Sequence, residues 1–512
     1  MANNVGVNVT RTTVGPLAFG DDPGDSIFMI ATAERGLSDT VHLVTSYARY
    51  RQIFGGADGT PYTAATEIAE ADEIAQLLYE GRARKRLYVV RVVDSAAVQA
   101  YVDLEDRDGT PEDTIRVHAK GEGAWANAYE ITIADGTAAN TFKITVKATA
   151  GGTVLETFDN LIVNDQSIDL VGDQSDYIYL ENLNSTHAAP DNRPATGDFL
   201  LGADQAGVNG NNPLAADVVG TDDGLGTKTG LKAFRDTKYG RGFTIAPGLD
   251  ADATVRTEMD AHVDSYYRVP LFGCPSGLTP TTVQDDVSSE DLLAGYYYPA
   301  AKVTDPVTLN TKTISQVGSV LRDWFDFIAD SQWGQHPAGP SFKVNGRIET
   351  QSNGAPLIDA TVAELLIAKG INPIYDKGRG NRVWGARTLS NDPKWSSLHA
   401  VWAYCVVASR LQETLELKVF GDASATTFFK DIEEGARIMM ADLNDRLGLF
   451  HGTTPASGEA EDPDVHAFAV VCNESLLSPA DIANNRIRVK AWFKDSLTAE
   501  TIDVEVAKRN VA

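Results

Sequence analysis

Eight histidines and one Lys/Gly-rich turn are the parts of this 512-residue chain whose chemistry first invites a catalytic or ligand-binding reading. His42, His118, His187, His262, His336, His399, His451 and His466 are scattered. There is no HExxH, and no spacing sets two of them on one helix face to hold a metal. A nucleophilic hydrolase needs a serine or cysteine beside a base, most visibly in a GxSxG turn, and that motif is absent. Lys377-Gly378-Arg379-Gly380, in IYDKGRGNRVWGAR, follows neither the GxxxxGK[ST] nor the GxGxxG order of phosphate-cradling loops. The acidic tract DLEDRDGTPED (103–113) has the composition of a calcium loop, but its carboxylates miss the D-x-D-x-D-G register counted back from Gly109. It reads as a solvated turn. His399, on an apolar helix, is expected to pack rather than to ligate. The chain is therefore expected to be no enzyme, with no catalytic, cofactor-binding or metal-binding residues.

Charge and composition narrow the partners. With 71 acidic against 44 basic side chains, the formal charge of -27 opposes phosphate backbones and anionic lipid, so neither nucleic acid nor a membrane is expected. Solubility, or a host living in high salt, accounts for the acidity. Cys274, Cys405 and Cys472 form no CxxC pair and sit among apolar residues such as Val406, Val407, Val470 and Val471, which reads as reduced core cysteine. The opening MANNVGVNVTRTTVGPL lacks the basic start and apolar run of a signal peptide. No stretch approaches the roughly 18 apolar residues of a membrane span. Folding in a cytoplasm is the expectation.

Residue periodicity supplies the elements. Val5, Val7 and Val9 alternate as a short strand on a Gly/Pro/Asp-rich arm, VGPLAFGDDPGD. SIFMIATA (26–33), VHLV (41–44) and LYVVRVV (87–93) read as buried strands. Ser46 can cap SYARYRQIF, which stops at Gly55-Gly56, and Pro61 opens a helix whose stripe is Ile68, Ile74, Leu77 and Leu78. From 96 to 200 short alternating segments such as YEITIA and FKITVKA, separated by turns, suit a β-sandwich inserted into an α/β domain that resumes with FTIAPG and RVPLFGCP. Asp392-Pro393 read as the start of a helix carrying Trp395, Leu398, Trp402 and Cys405. A second helix, from about Ala423 to Leu447, sets Phe428, Ile432, Ile438, Met439 and Leu443 on its apolar side. At the end, RIRVKAWFKDSLTAETIDVEV (486–506) alternates twice, with Ile487, Val489, Ala491 and Phe493, then Ile502, Val504 and Val506. A basic row (Arg488, Lys490) and an acidic row (Asp503, Glu505) could face each other across strands, either in a hairpin closed by KDSLTAE or between chains.

Several of these stretches resemble the contractile phage tail sheath protein family. They are FGGADGTPYTAATEIAEA (54–71), YVVRV (88–92), GAWANAYEITI (123–133), VWGARTLSNDPKW (383–395) with the two long helices after it, and the ending VVCNESLLSPADIANNRIRVKAWFKDSLTAETIDVEV. The resemblance is strongest over 371–400 and 465–507. Two stretches depart from the family pattern, Trp125-Ala126-Asn127 and His336-Pro337-Ala338-Gly339.

The resemblance implies a multidomain α/β and β fold. An arm (1–25) precedes a subtilisin-like α/β core (26–95 and 201–385) interrupted by a β-sandwich (96–200), and a C-terminal α+β module (386–512) is completed by strands exchanged between subunits. The exchanged strands would be Val5 to Thr10 and Ile502 to Ala507, docking beside Arg486 to Phe493. It implies a structural homo-oligomer of stacked helical rings that contracts around a tail tube, with baseplate and tail terminator proteins as partners, placed in a virion tail and assembled in the host cytoplasm. A hydrolase on the same scaffold and a virion surface adhesin are the competing readings.

Overall fold

The computed structural model describes residues 26–56, 70–83, 85–287, 291–304, 311–330, 334–418, 421, 427–445, 448–455 and 465–495. The chain enters through β1 (Ser26–Ala31), β2 (Val41–Val44), α1 (Tyr47–Phe54), α2 (Ala71–Glu80) and β3 (Arg86–Arg91). Ser46 caps α1 by accepting the Arg49 N–H, and Gly55 ends it at φ 77°, a conformation costly for any residue with a Cβ.

An excursion follows, through β4 (Gln99–Glu105), β5 (Asp113–Glu122), β6 (Glu130–Asp135), β7 (Phe142–Lys147), β8 (Val154–Leu161), α3 (Asp165–Gln174), β9 (Ile178–Asn182) and β10 (Gly197–Leu200). These strands make two antiparallel sheets, β4-β5-β9 and β10-β6-β7-β8, enclosing their own core of Val102, Val117, Ile131, Ile144, Phe142 and Ile178. The chain returns through α4 (Ala215–Val219), β11 (Gly242–Ile245), α5 (Ala253–Tyr266), β12 (Arg268–Gly273), α6 (Pro280–Asp286) and β13 (Gly295–Tyr298). Next come β14 (Ala301–Thr304), β15 (Thr311–Ile314), α7 (Val317–Ala329), β16 (Arg347–Ile348), α8 (Ala360–Ile367), β17 (Ile371–Asp376) and β18 (Asn381–Val383).

The main sheet runs β18-β17-β13-β12-β11-β1-β3-β2, with its six central strands parallel and an antiparallel strand at each edge. Its central strands read as near-continuous apolar runs because both faces are covered. Alternation within β1 shows this directly. Ile27 and Met29 join a core with α1, α2 and α7, whereas Phe28 and Ile30 join one with α5 and α8.

A buried arginine ties the excursion to this sheet. Arg91, at the end of β3 and fully buried, donates Nε to the Ala33 carbonyl (3.0 Å), Nη1 to Gly36 (2.8 Å) and Nη2 to Glu122 (2.8 Å), and pairs with the Glu122 carboxylate at 3.1 Å. Gly121 lies so close that an added Cβ would meet the Gly36 carbonyl oxygen at 2.1 Å, so only glycine fits there. Arg49 of α1 pairs with Asp176 beyond α3 at 2.7 Å.

After the sheet come α9 (Leu398–Leu415), α10 (Phe428–Asp445), β19 (Phe468–Val471), α11 (Pro479–Ala483) and β20 (Lys490–Phe493). The expected start of α9 at Asp392-Pro393 is corrected: Asp392 to Trp395 form a turn, and the helix begins at Leu398 under a Ser397 cap. Thr388 donates its Oγ1 and its N–H to the carbonyls of Trp395 (2.6 Å) and Ser396 (3.0 Å), bonds that hold this stretch against the 386–388 segment ahead of the helix. Leu398 to Leu411 are buried all round, as in a helix sunk in a core. Of the residues assigned to the apolar side of α10, Ile432, Met439 and Leu443 are buried and Ile438 is exposed.

Two buried carboxyls set a pH dependence. Glu70, which accepts the Ser315 N–H at 2.8 Å, and Asp250, which accepts that of Gly273 at 3.2 Å, are each raised to about 7, mainly by burial. Their unfolded values lie near about 4, so between those limits the native state holds more protons than the unfolded chain. This contribution to stability is complete below about pH 4 and is lost as pH rises through about 7. The melting temperature should accordingly climb when pH is lowered from about 8 to about 5.5, and the Glu70→Gln, Asp250→Asn double variant should show a flatter curve. Calorimetry across that range decides it.

Candidate assembly surface

The chain's last described elements form a ribbon of only two strands, β19 and β20, paired antiparallel from Phe468↔Phe493 to Val471↔Lys490. Two strands alone are marginal in water. Here one face rests on the large core through Phe468 and Val470, with Val489, Ala491 and Phe493 packed against it. The Phe493 ring lies 5.1 Å from that of Phe450. The Cys472 N–H reaches the carboxylate of Glu433 on α10 at 2.7 Å.

Register fixes the direction of the free backbone. The Lys494 N–H donates to the Ala467 carbonyl at 2.8 Å, which makes Ala469/Trp492 and Val471/Lys490 the bonded pairs of the ladder. The N–H and C=O groups of Ala491 and Phe493 then point away from β19. No described strand lies along that edge.

The ribbon is anchored where it leaves the described residues. Asp495, two residues past β20, accepts from Nδ1 of the fully buried His399 at 2.5 Å and lies 4.0 Å from Nε2 of His336. Burial pushes the Asp495 carboxyl up, but the His399 hydrogen bond and the charges of both imidazoles outweigh it and hold the group below its ordinary value. The three side chains bring ligand atoms within 4.8 Å of one another, a separation that could suit a metal ion. The two rings, however, stack 4.9 Å apart at 8°. Lone pairs lying in two parallel planes do not converge on one ion, so the arrangement reads as a carboxylate latch held by imidazoles. The sequence did not reveal this cluster, because its members stand 63 and 96 residues apart.

Each residue assigned to assembly from sequence has a definite place or lies outside the described residues. Ile487, Val489 and Ala491 are half-buried and alternate with exposed Arg488 and Lys490, in keeping with period two. The ladder nevertheless begins only at Lys490. Arg486 donates its N–H to the Asp481 carbonyl at 2.8 Å, and Arg488 forks onto the Asp481 carboxylate at 2.7 and 2.9 Å, so this stretch is drawn onto α11. Arg488 thus has a partner other than Asp503 or Glu505. Val5, Val7, Val9, Ile502, Asp503, Val504, Glu505 and Val506 lie outside the described residues.

The motifs weighed for chemistry are spent internally. Asp376 accepts the Arg379 and Gly380 N–H groups at 2.7 Å, the donors a phosphate cradle would need. Asp106, in the acidic tract, accepts from Ser185 Oγ at 2.5 Å and from His187 Nδ1 at 2.7 Å, and these bonds tie the turn to the 185–187 loop. The three cysteines are buried free thiols.

Breaking the latch should loosen the ribbon selectively. Replacing His399 by Ala leaves a partly buried carboxylate short of its donor and should cost about 1–3 kcal/mol. Hydrogen exchange at the Lys490 and Trp492 amides should accelerate more than in the main sheet.

No protein-family profile matches the chain. Over 306 residues it is 24% identical to the putative prophage major tail sheath protein of Pseudomonas aeruginosa strain UCBPP-PA14, covering 57% of this chain and 75% of that protein. Its fold matches the helical sheath of the anti-feeding prophage in its contracted state, with a TM-score of 0.50, 14% identity and 99% and 100% of the two chains covered. It likewise matches the contracted sheath complex of PVC, an extracellular contractile injection system, with a TM-score of 0.51, 11% identity and 99% and 98% coverage. At such identities the structural likeness is one of fold. The sequence resemblance is borne out: the chain is related in sequence to a prophage tail sheath protein and shares the mixed α/β multidomain fold of contractile-sheath proteins.

Proposed function

We propose that this chain is the structural subunit of a contractile tail sheath, polymerising helically around an inner tail tube and shortening to drive that tube through a host envelope. The role is mechanical rather than catalytic, on a core of subtilisin-like α/β form. The observation that carries the proposal is the two-stranded ribbon, whose outer edge presents the backbone of Ala491 and Phe493.

An added strand supplies main-chain hydrogen bonds for adhesion and alternate side-chain pockets for register. Each bond nets only about 0.5–1.5 kcal/mol, so one donated strand is a weak link. Repeated around a ring and from ring to ring, such links act at high effective concentration, and head-to-tail contacts build an open helix. The donors in this reading are residues 5–10 of one copy and 502–507 of another. The Gly/Pro/Asp-rich arm VGPLAFGDDPGD lets the bodies rotate and slide while the strands stay paired. Contraction then draws on a metastable packing rather than on nucleotide hydrolysis. The tube, the baseplate and a terminator protein are the partners, within a virion tail assembled in the host cytoplasm.

Electron microscopy of the full-length protein should show hollow tubes or rings, and deleting residues 1–20, or 500–512, should abolish them while leaving circular dichroism nearly unchanged. A full-length protein that stays a monodisperse monomer contradicts the sheath reading. Loss of the fold on deletion favours an intramolecular hairpin instead.

A further inference from the structure

The main sheet is charged unevenly along its strand order. At one edge, the β17–β18 hairpin and the segment 340–348 beside it carry Lys343, Arg347, Lys377, Arg379 and Arg382. The backbones of Lys343 and Arg382 pair as an isolated antiparallel bridge, and the Val344 N–H donates to the Asn381 carbonyl at 3.1 Å, so the two segments form one surface. Lys343, Arg347, Lys377 and Arg379 are exposed. The one carboxylate in these segments, Asp376, is engaged by the turn's own N–H groups, and Lys377 stands 3.9 Å over the Trp384 ring. Among the described residues none of the five cations is paired with a carboxylate. On a chain of net charge -27, such a cluster is a local reversal of sign.

The opposite edge of the sheet is β2, flanked by α1, and there Arg49 fixes the end of α3 through Asp176 at 2.7 Å. Asp165, Asp169 and Asp173 fall at i, i+4 and i+8 of α3, all exposed, in a helix without a basic residue. Like charges at that spacing destabilise a helix, and Asp173 stands in the last turn, at the negative end of the dipole. Lys120, whose charge pairs with that of Asp173 at a distance, gives its Nζ to the Gly172 and Ser175 carbonyls at 2.8 and 2.5 Å. Seven strand steps separate the two edges, about 34 Å at the usual spacing.

We propose that successive copies of this chain meet laterally by seating the basic β17–β18 edge of one on the acidic α3 face of the next. The inference rests on the sheath reading and names one of its interfaces. A body positive at one edge and negative at the other is complementary to itself only head to tail, which is the heterologous contact that closes rings or extends helices. Each exposed pair is weak and screened by salt beyond a Debye length of about 8 Å, so the contact orients subunits while strand exchange holds them.

The test is a charge swap in the full-length protein, read by sedimentation and electron microscopy. The Lys343→Glu, Arg347→Glu, Lys377→Glu, Arg379→Glu variant should keep the wild-type circular dichroism and raise the concentration needed for polymer by about tenfold or more. The Asp165→Lys, Asp169→Lys, Asp173→Lys variant should do the same, and a chain carrying both sets should recover assembly. Unchanged polymerisation in either variant, or no recovery in the combined one, overturns this interface and leaves the sheath reading standing. Wild-type protein that forms no polymer overturns both. A basic-edge variant that polymerises normally but loses retention on single-stranded DNA assigns the patch to an anionic polymer instead.

Discussion

The bond from Lys494 to Ala467 fixes more than a register point. It aligns the only two described strands of the C-terminal ribbon so that the backbone of Ala491 and Phe493 faces away from the body. A ribbon of two strands gains too little from its own ladder to persist, and this one is held from below by the core and at its end by the His399–Asp495 latch. One face of the ribbon rests on the core, and no described strand lies along the outer edge of β20. The proposed mechanics follow from that asymmetry, because pairing can be added at the edge without disturbing what supports the ribbon.

The rest of the molecule behaves as a body rather than a set of loose parts. Met439 and Leu443 of α10 and Phe468 of β19 belong to the same core as Ile27, Met29 and Val89 of the main sheet, so the ribbon and the sheet share one packed interior. The excursion has its own core, yet Arg91 crosses into it with each of its three nitrogens hydrogen-bonded, and the contact of Gly121 with Gly36 leaves no room for a side chain. Burying a guanidinium is tolerable only with partners of this number and geometry.

Local chemistry made much of the fold legible. Ser46 and Gly55 bounded α1 because caps act within a few residues, and SIFMIA announced a central strand because both its faces are buried. The misread boundary at Asp392 came from Thr388, whose competing bonds to Trp395 and Ser396 depend on how the chain turns back. The start of β20 was misplaced for the same kind of reason: alternation runs through 487–493, but the grip of Asp481 on Arg486 and Arg488 holds the first residues off the ladder.

Alternation, caps and composition are properties of neighbouring residues, so the sequence by itself determined the strands and helices, the want of a nucleophile motif, and the resemblance carried by VWGARTLSNDPKW and the closing segment. Only the tertiary structure decided which edges stay open and which charges meet. His336, His399 and Asp495 come from three separate stretches, and the basic and acidic edges acquire a direction only once the strand order is known. Hydrogen bonds and ion pairs depend on distance in space, and a linear spacing carries that distance only where the chain is locally regular.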